Sequence, residues 1–396
     1  MIADENATGR RLLVLGGGPI GIEAAVLASR QGFQVMVLER GVIGAHVENW
    51  GHVRLFSPWT LNRSAWGEAV LRERGIGLAD PDAHPTGHEY LRDYLRPLAE
   101  AADIGSRIRS RMTVHGVARG DVHKGRLIGE RDTAGPFLAA VSDASGGSSF
   151  VEADIVFDAT GVYGQPGALG PGGLPAAGED AVNNLIERRI PDPSARDDYA
   201  GRHVLLVGDG HSAATTLEAL VRLREADADT RVTWVVSAKG PPYEEIPDDP
   251  LPRRLALARF GNRAARGEVD GVRTVRSGIR RLARRNGSAA VTFRDGETLD
   301  VDRVVANVGY RPDTALTREL QVHHCYASEG PMNLAATLLA QGADADCLTQ
   351  PATGVDALRS PEADFWVIGA KSYGRNPNFL LRSGFAQIET ILGGYT

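Results

Sequence analysis

Apolar stretches with the spacing of strands and of helices alternate along the chain and predict an α/β fold. Near the start, an apolar strand at residues 11–15 leads into a glycine-rich turn, a helix from about residue 20 to residue 31, and a second strand at residues 33–38. Strand, helix and strand in this order form a βαβ unit, whose two strands lie parallel in one sheet. The chain is therefore predicted to begin with an α/β domain.

The same order of elements recurs in the middle of the chain. A strand at residues 203–207 is followed by a glycine turn, a helix from about residue 212 to residue 225, and a strand at residues 231–236. After each unit, an aspartate leads into an apolar strand that ends at a glycine, at residues 153–161 and again at 301–309. The repeated order predicts an internal duplication of architecture.

Glycines stand where the first strand of each unit meets its helix, which is typical of a dinucleotide-binding turn. A helix N-terminus offers free backbone N–H groups and roughly half a positive charge to a pyrophosphate. A carboxylate about 20 residues after the first glycine, here Glu39, can accept hydrogen bonds from an adenosine ribose. The candidate residues of this first site are Gly16, Gly18, Pro19, Ile20, Gly21, Glu39 and Arg40.

The second glycine turn has a similar set of candidates, but no carboxylate ends its second strand. Without that carboxylate a 2′-phosphate would meet no repulsion, which favours NADPH over NADH. Lys239, Arg253 and Arg254 are candidate partners for the phosphate, and each is equally typical of a solvated loop or helix face. A turn that only joins strand to helix, without a ligand, is the alternative for this site. The candidate residues are Gly208, Gly210, His211, Ser212, Ala213, Ser237 and Lys239.

Composition and charge narrow the classes of partner. The chain has 396 residues, 44 basic and 50 acidic side chains, and a net charge of −6. This mild charge argues against nucleic acid or an anionic membrane as a partner, and no apolar run reaches the about 18 residues of a membrane span. Two cysteines, Cys325 and Cys347, favour a reducing, cytoplasmic setting. His323 and His324 lie beside Cys325 without a further ligand at zinc spacing, so no metal site is expected.

Four motifs together resemble those of flavoproteins with two dinucleotide-binding domains, a group that includes flavin-containing monooxygenases, N-hydroxylating monooxygenases and thioredoxin-reductase-like enzymes. The motifs are GGGPIG at residues 16–21 with Glu39, Ala159-Thr160-Gly161, GDGHSA at residues 208–213, and Val308-Gly309-Tyr310-Arg311-Pro312. The resemblance implies two Rossmann-like, three-layer ββα domains, with an NAD(P)H domain inserted into an FAD domain. The implied bounds are residues 1–165 and 306–396 for the FAD domain and 195–305 for the NAD(P)H domain. Thr160, Gly161 and Gly309 are then candidate cofactor contacts.

Two dinucleotide sites in one chain make sense if hydride passes from a nicotinamide to a resident flavin. The first site, with Glu39, is the FAD candidate, and the second is the candidate for NADPH or NADH. A disulfide reductase of this architecture would also use a CxxC or CxxxxC pair, and the sequence has neither. Thiol relay is therefore not expected.

Two further segments are candidates to line the flavin. Residues 46–66 are dense in aromatic and hydrogen-bonding side chains, and residues 364–392 contain a strand that ends at Gly369-Ala370, where related enzymes place Gly-Asp. A helix predicted to open at Ser383-Gly384 would direct its positive end to the reduced ring. Packing, surface exposure or turn formation is the alternative for each residue. The candidates are Trp50, His52, Arg54, Ser57, Trp59, Gly369, Ala370, Lys371, Ser372, Asn376, Asn378 and Phe379.

The resemblance favours an FAD-dependent, NAD(P)H-using monooxygenase, in which a flavin hydroperoxide transfers an oxygen atom from O2 to a small-molecule substrate. An NAD(P)H:acceptor reductase, which would pass electrons to a quinone, an organic acceptor or a redox protein, is the first alternative. A non-catalytic redox sensor is the second. No catalytic acid or base is assigned. A helix predicted near Pro331, with Leu334, Leu338 and Leu339 at helical spacing, fits core packing or a homodimer contact.

Overall fold

The computed structural model describes residues 9–101, 104–126, 135–192, 196–340, 348 and 354–395. The strands within these residues are β1 (Arg11–Leu15), β2 (Gln34–Glu39), β3 (Ile108–Ser110), β4 (Thr113–Arg119), β5 (Phe137–Ser142), β6 (Ser148–Ala153), β7 (Ile155–Asp158), β8 (Ile186–Glu187), β9 (His203–Val207), β10 (Arg231–Val235), β11 (Val272–Val275), β12 (Ile279–Arg285), β13 (Ser288–Phe293), β14 (Thr298–Val301), β15 (Arg303–Ala306) and β16 (Phe365–Val367). The predicted strands and their order along the chain agree with these bounds to within a few residues.

The α-helices among the same residues are α1 (Pro19–Arg30), α2 (Ala45–Glu48), α3 (Trp59–Asn62), α4 (Ala65–Glu73), α5 (Gly87–Tyr90), α6 (Arg96–Ala101), α7 (Arg196–Tyr199), α8 (His211–Ala226), α9 (Pro252–Ala265), α10 (Met332–Ala340), α11 (Val355–Leu358) and α12 (Leu381–Leu392). A π-helical segment, Leu91–Leu95, joins α5 to α6. Within the described chain no helix is both long and apolar enough to cross a membrane.

The chain forms two compact units. The first combines the described parts of residues 1–51, 57–165 and 311–396, and the second combines residues 52–56 with the described parts of 166–310. The sequence placed the start of the second domain at residue 195, because residues 161–178 were interpreted as a linker that leaves the first domain and residues 191–201 as a linker that enters the second. That start is too late, since Leu169, Ala176 and Val182 are buried in the core of the second unit.

The first unit has three layers. Its central sheet has the strand order β16-β7-β1-β2-β3, with all neighbours parallel. Alternate residues of β1 face opposite sides, so that Leu12 and Val14 pack with the helices while Leu13 and Leu15 pack with the antiparallel sheet β4-β5-β6. Both faces of the parallel sheet are therefore covered, which explains why β1 is apolar at every position after Arg11.

The second unit repeats this arrangement. Its parallel sheet has the order β11-β10-β9-β15-β8, and β12-β13-β14 form the antiparallel sheet. The central strand of this sheet, β9, again divides its residues, with Leu205 in one core and Val204 and Leu206 in the other. The predicted fold class, two Rossmann-like three-layer domains, is thus confirmed. The two parallel sheets differ at one edge. In the first unit this edge strand is β16, which comes from late in the chain, and in the second unit it is the two-residue strand β8.

Two predicted helices differ in detail from the structure. Helix α12 begins at Leu381, so that Ser383 and Gly384 lie inside its first turn and do not open it. In α10, Leu334 and Leu338 are buried as core packing predicts, whereas Leu339 is 61% exposed. The homodimer contact therefore stays a prediction, and it would involve Leu339 in place of the buried leucines.

Candidate dinucleotide-binding sites

Packing within the protein requires two glycines of the first turn. Gly16 has φ of +103°, and a Cβ atom there would lie 2.7 Å from the carbonyl oxygen of Ala159. A Cβ atom at Gly21 would overlap the carbonyl oxygen of Gly16. These two glycines let β1, β7 and α1 approach one another, whatever binds there.

Gly18 is different, because nothing in the protein explains its missing side chain. It precedes α1 in extended backbone conformation, no side chain caps the helix, and no heavy atom lies within 4 Å of the position that a Cβ atom would take. Pro19 is the first helical residue, where its missing N–H costs nothing. Open space at an uncapped helix N-terminus fits the pyrophosphate of a dinucleotide.

Glu39 lies at the end of β2 beside this turn, as predicted. Its two carboxylate oxygens accept hydrogen bonds of 2.6 Å from the backbone N–H groups of Gly17 and Gly41. The side chain therefore connects the glycine turn to the loop after β2. Arg40 follows on the surface, with its guanidinium near Gly164.

The Ala159-Thr160-Gly161 turn rests on a buried ion pair. Lys371 Nζ lies 2.6 Å from Asp158 Oδ2 and donates to Thr160 Oγ1 at 3.0 Å. The Thr160 hydroxyl in turn donates to Asp158 at 2.7 Å. Lys371 and Asp158 are fully buried, so the prediction that the Lys371 side chain contacts the cofactor is wrong. It instead joins the turn after β7, which ends at Gly161 with φ of +68°, to the turn after β16.

The Gly369-Ala370 turn is held by a second buried network. Gly369 N donates to Gln387 Oε1, Gln387 Nε2 donates to Ser372 Oγ, and the Ser372 hydroxyl donates to Gly369 O, all at 2.8–2.9 Å. Ser372 is thus used inside the protein and does not replace the absent aspartate. Gln387 was not among the predicted site residues. The one feature of the sequence that could have indicated it is its position as a polar residue on the apolar face of a predicted helix. Ala370 itself is half-buried.

Several candidate flavin contacts are packing residues. Trp59 stacks on Tyr90 with ring centroids 5.9 Å apart, and Ser57 donates to Asn62 at 2.9 Å in the core. Phe379 lies edge-on to Tyr373. Asn376 Oδ1 accepts a hydrogen bond from the backbone N–H of Asn378 at 2.9 Å. Asn376 therefore forms a turn, which was the alternative to a flavin contact.

The segment 46–66 divides between the two units. Trp50 lies in the first unit, and its indole Nε1 is buried without a hydrogen-bond partner among the described residues. His52 and Arg54 belong to residues 52–56, which group with the second unit. Their predicted contact with the flavin stays a prediction. Trp50 keeps an unused donor, which a bound ligand could fill.

The second glycine turn repeats the geometry of the first. Gly208 has φ of +125°, and a Cβ atom there would overlap the carbonyl oxygen of Asn307. Gly210 caps α8 in extended conformation, with no heavy atom within 4 Å of a Cβ position. Ala213 is fully buried where α8 packs on the sheet, and Ser212 is exposed. The space beside Gly210 is again open to a pyrophosphate.

Two aromatic residues that the sequence did not single out support this turn. Trp234 Nε1 donates to Gly208 O at 2.8 Å, and the Tyr243 hydroxyl donates to Gly210 O at 3.1 Å. The carbonyl groups of the turn are therefore satisfied by these side chains. His211 contacts the rings of Phe56 and Tyr243 while part of its surface stays exposed to solvent. Desolvation by these neighbours, together with the charge of Arg254, lowers its pKa. His211 is thus held mainly as neutral imidazole near pH 7.

The loop after β10 is tied back to the turn by Asp209. Asp209 Oδ2 accepts from Ser237 N at 3.0 Å and from the Ser237 hydroxyl at 2.6 Å. Lys239 is exposed on this loop, and Arg276, which the sequence did not single out, donates to Gly240 O at 3.0 Å. Two cations thus lie on or beside the loop that would meet a 2′-phosphate.

Arg253 and Arg254 both have carboxylate partners. The buried Arg254 donates to both oxygens of Asp249 at 2.7 Å, so it is not available to that phosphate. Arg253 donates to Glu218 at 3.2 Å but stays partly exposed, so its assignment as a phosphate ligand stays a prediction. Gly309 follows β15 with φ of +82°, and a Cβ atom there would also meet open space.

A buried carboxylate lies in the first turns of α1. Glu23 accepts hydrogen bonds from Ser64 Oγ at 2.6 Å and from the Tyr94 hydroxyl at 2.5 Å. Burial raises the pKa of Glu23 to about 7, and these hydrogen bonds offset only part of that effect. Tyr94 lies in the π-helical segment between α5 and α6. The group therefore titrates near neutral pH.

Replacing Glu23 with glutamine is expected to remove a pH dependence of stability. The folded chain holds the Glu23 proton up to about pH 7, whereas an unfolded chain releases it near 4.5. The contribution to stability is therefore complete below 4.5 and is lost as the pH rises to about 7. Between about pH 5 and about pH 8, the wild type should lose about 3 kcal/mol more unfolding free energy than Glu23→Gln. Urea denaturation at both pH values measures this, and parallel pH profiles would contradict it.

Comparison with known proteins agrees with this architecture. Residues 13–126 match the family model described as Pyridine nucleotide-disulphide oxidoreductase. A search of curated proteins gives no match. The bacillithiol disulfide reductase Bdr (YpdA) from Bacillus cereus is 18% identical, covers 98% of both chains and has a TM-score of 0.69.

Two further solved structures have the same fold with other activities. The FAD-bound DfoA, the cadaverine monooxygenase of desferrioxamine biosynthesis from Erwinia amylovora, is 13% identical over 97% of this chain and 94% of its own, with a TM-score of 0.63. The thioredoxin reductase from T. acidophilum is 15% identical over 98% of both chains, with a TM-score of 0.58. The chain thus has the fold of pyridine nucleotide-dependent flavoproteins with two dinucleotide-binding domains.

Proposed function

We propose that this protein is an FAD-containing oxidoreductase that takes hydride from NADPH or NADH and acts on a small-molecule substrate. The main support is the open space at the Cβ positions of Gly18 and Gly210. The neighbouring glycines, Gly16 and Gly208, are instead required by close packing inside the protein. Open space at a helix N-terminus is what a pyrophosphate needs. One such site in each of two units suits electron transfer between two dinucleotides.

FAD is assigned to the first unit. Gly18 would leave room for its pyrophosphate, and Glu39, already fixed by two backbone N–H groups, would face the ribose. Trp50 Nε1, buried and unpaired among the described residues, would donate a hydrogen bond to the flavin or to a substrate. When bound, FAD supplies the electron-accepting ring, and the chain supplies binding, orientation and exclusion of water.

NADPH is the proposed donor at the second unit. The carboxylate of Asp209 accepts hydrogen bonds from Ser237, which fix its position, and its charge would have to be offset by nearby cations. Lys239 and Arg276 would provide positive charge at that position, and a cation near the adenosine ribose is the usual accommodation for NADPH. NADH is the alternative donor.

Oxygen transfer to the substrate is the proposed outcome of flavin reduction. The sequence has no CxxC or CxxxxC pair for a thiol relay, and the fold is shared with a monooxygenase. An NAD(P)H:acceptor reductase is the second candidate, and the higher TM-score against a disulfide reductase favours it. We also propose a cytoplasmic location, because the two cysteines form no disulfide framework. A homodimer formed through the exposed Leu339 is a further proposal.

The test compares three proteins under nitrogen: the wild type, Gly18→Val and Gly210→Val. The wild type should purify with FAD and be bleached by NADPH faster than by NADH. Gly210→Val should retain FAD and be bleached by dithionite, but react slowly with NADPH, because valine would fill the pyrophosphate space at the second turn. Oxygen is then mixed with the reduced wild type in a stopped-flow spectrophotometer, and reoxidation is followed with and without a quinone.

Each outcome decides between the candidates. Reoxidation by oxygen through a distinct, long-lived spectral species supports the monooxygenase. Single-step reoxidation that is faster with the quinone than with oxygen supports the reductase. A colourless protein that takes up no FAD would overturn the whole proposal, and an undiminished NADPH reaction in Gly210→Val would overturn the assignment of the second site.

A further inference from the structure

A cavity in the first unit is separate from the residues assigned to FAD. Its volume is about 460 Å³, and its walls include Lys124, Gln165, Arg311, Thr314, Arg318 and His324. None of the glycine-turn residues lines it. The volume falls in the range of small-molecule sites, but charged and polar side chains dominate its walls, whereas most such sites are mainly apolar.

The lysine of this cavity is held in place by the surrounding backbone. Lys124 Nζ donates to the carbonyl oxygen of Arg318 at 3.0 Å. Gln321 Nε2 donates to the carbonyl oxygens of Lys124 and Arg126 at 2.6 and 2.7 Å. The loop after β4 is therefore fastened to the segment that follows residue 317. An ordered cation pays less entropy on binding an anion than a freely rotating one.

Positive charge exceeds negative charge around the cavity. Arg311 Nε donates to Glu329 at 3.0 Å, but the same carboxylate also accepts from Arg375 Nε at 2.9 Å. One negative charge thus serves two guanidinium groups. The single acidic residue of the wall, Asp313, uses one carboxylate oxygen to accept from Ala315 N at 2.9 Å.

Arg318 contributes the third permanent cation. Its guanidinium group makes no hydrogen bond or ion pair with the described residues. Its backbone carbonyl oxygen accepts the hydrogen bond from Lys124 Nζ. Three permanent cations against one carboxylate create a positive potential in a concave surface, where field lines are focused. Guanidinium groups also bind carboxylates and phosphates through paired hydrogen bonds.

We propose that this cavity binds a small organic polyanion, either a phosphomonoester or a polycarboxylate. Arg311 and Arg318 would bind its charged oxygens, Lys124 would add a fixed charge, and Gln165 and Thr314 would bind neutral polar groups. The site lies outside the two glycine turns, and the proposal does not depend on the proposed oxidoreductase function. The cavity could hold a polyanion of this kind either as a substrate or as a regulatory ligand.

Isothermal titration calorimetry of the full-length, FAD-loaded protein tests this site. The probes are citrate and glycerol 3-phosphate, each at constant ionic strength set with chloride, because surface charge effects are screened by salt. At least one probe should bind saturably. Arg318→Gln and Lys124→Gln should each weaken that binding by about tenfold or more, as expected for loss of one charged hydrogen bond.

Matched controls separate this cavity from other anion sites. Arg109→Gln removes an exposed charge of the same unit that does not line the cavity, and its affinity should equal that of the wild type. Gly210→Val, which should retain FAD, should also bind the probe unchanged. Absence of saturable binding by both probes, or binding that is lost in Gly210→Val and retained in Arg318→Gln and Lys124→Gln, would overturn the proposal.

Discussion

Replacing Gly18 with valine is expected to abolish FAD retention and leave the fold intact. The backbone at Gly18 is extended with negative φ, and the position of a side chain there is open space. The Cβ atom of valine would therefore have no protein neighbour within 4 Å, and the side chain would occupy the volume assigned to the pyrophosphate. Overpacking of about 1–3 kcal/mol together with weakened charged hydrogen bonds of about 1.5–3 kcal/mol predicts an affinity lower by roughly two to four orders of magnitude.

Flavin content after gel filtration and thermal melting of the same sample measure the two parts of this prediction. Gly77→Val is the matched control. Gly77 is an exposed glycine of the same unit with a negative φ angle, and a Cβ atom there would also have no heavy atom within 4 Å. It should keep both flavin and stability. Stoichiometric FAD in Gly18→Val would contradict the site, and equal loss in Gly77→Val would show that the effect is not local.

Replacing Lys371 with methionine is expected to destabilise the protein by about 3–5 kcal/mol. Lys371 and Asp158 are 1% and 0% exposed, and the ammonium group is the cation that compensates the Asp158 carboxylate. Removing it leaves a buried charge without a partner, which costs far more than the pair itself contributes. The Thr160 hydroxyl, which donates to Asp158, cannot replace a full positive charge.

A second variant tests the cause of that loss. Asp158→Asn combined with Lys371→Met removes both charges and should recover most of the lost stability, because an amide oxygen can still accept from Thr160. The surface pair of Arg30 and Glu73, 43% and 57% exposed, supplies the control: Arg30→Met should cost about 1 kcal/mol or less. Urea denaturation measures all four proteins. A Lys371→Met variant as stable as Arg30→Met, or a double variant no better than the single one, would contradict the prediction.

The two glycine turns show how one architecture meets the same demands with different side chains. In the first unit, the carboxylate of Glu39 reaches from the end of β2 to the turn. In the second unit, Asp209 reaches from the turn to the loop after β10, in the opposite direction. Asp209 at first looks unfavourable beside a phosphate. Its carboxylate accepts hydrogen bonds from Ser237 and so serves to hold the loop after β10.

Local sequence signals determined the frame of this protein. The two βαβ units, their glycine turns and the position of Glu39 at the end of β2 were predicted correctly, because each depends on residues within about 30 positions of one another. Apolar periodicity specifies such elements, and glycines at strand ends specify the turn. The duplication followed from the same order of parts, and the structure confirms it in the matching sheets.

Only the tertiary structure decided which of those residues are required by packing and which border open space. Gly16 and Gly18 look alike in sequence, yet packing against Ala159 requires the first, while the second borders open space. Lys371 looked like a cofactor contact until its partner Asp158, distant in sequence, placed it in the core. Trp234 and Tyr243 became supports of the second turn through equally long-range contacts. The physical reason is that burial and hydrogen bonding between distant segments arise from packing of whole layers, which local periodicity does not encode.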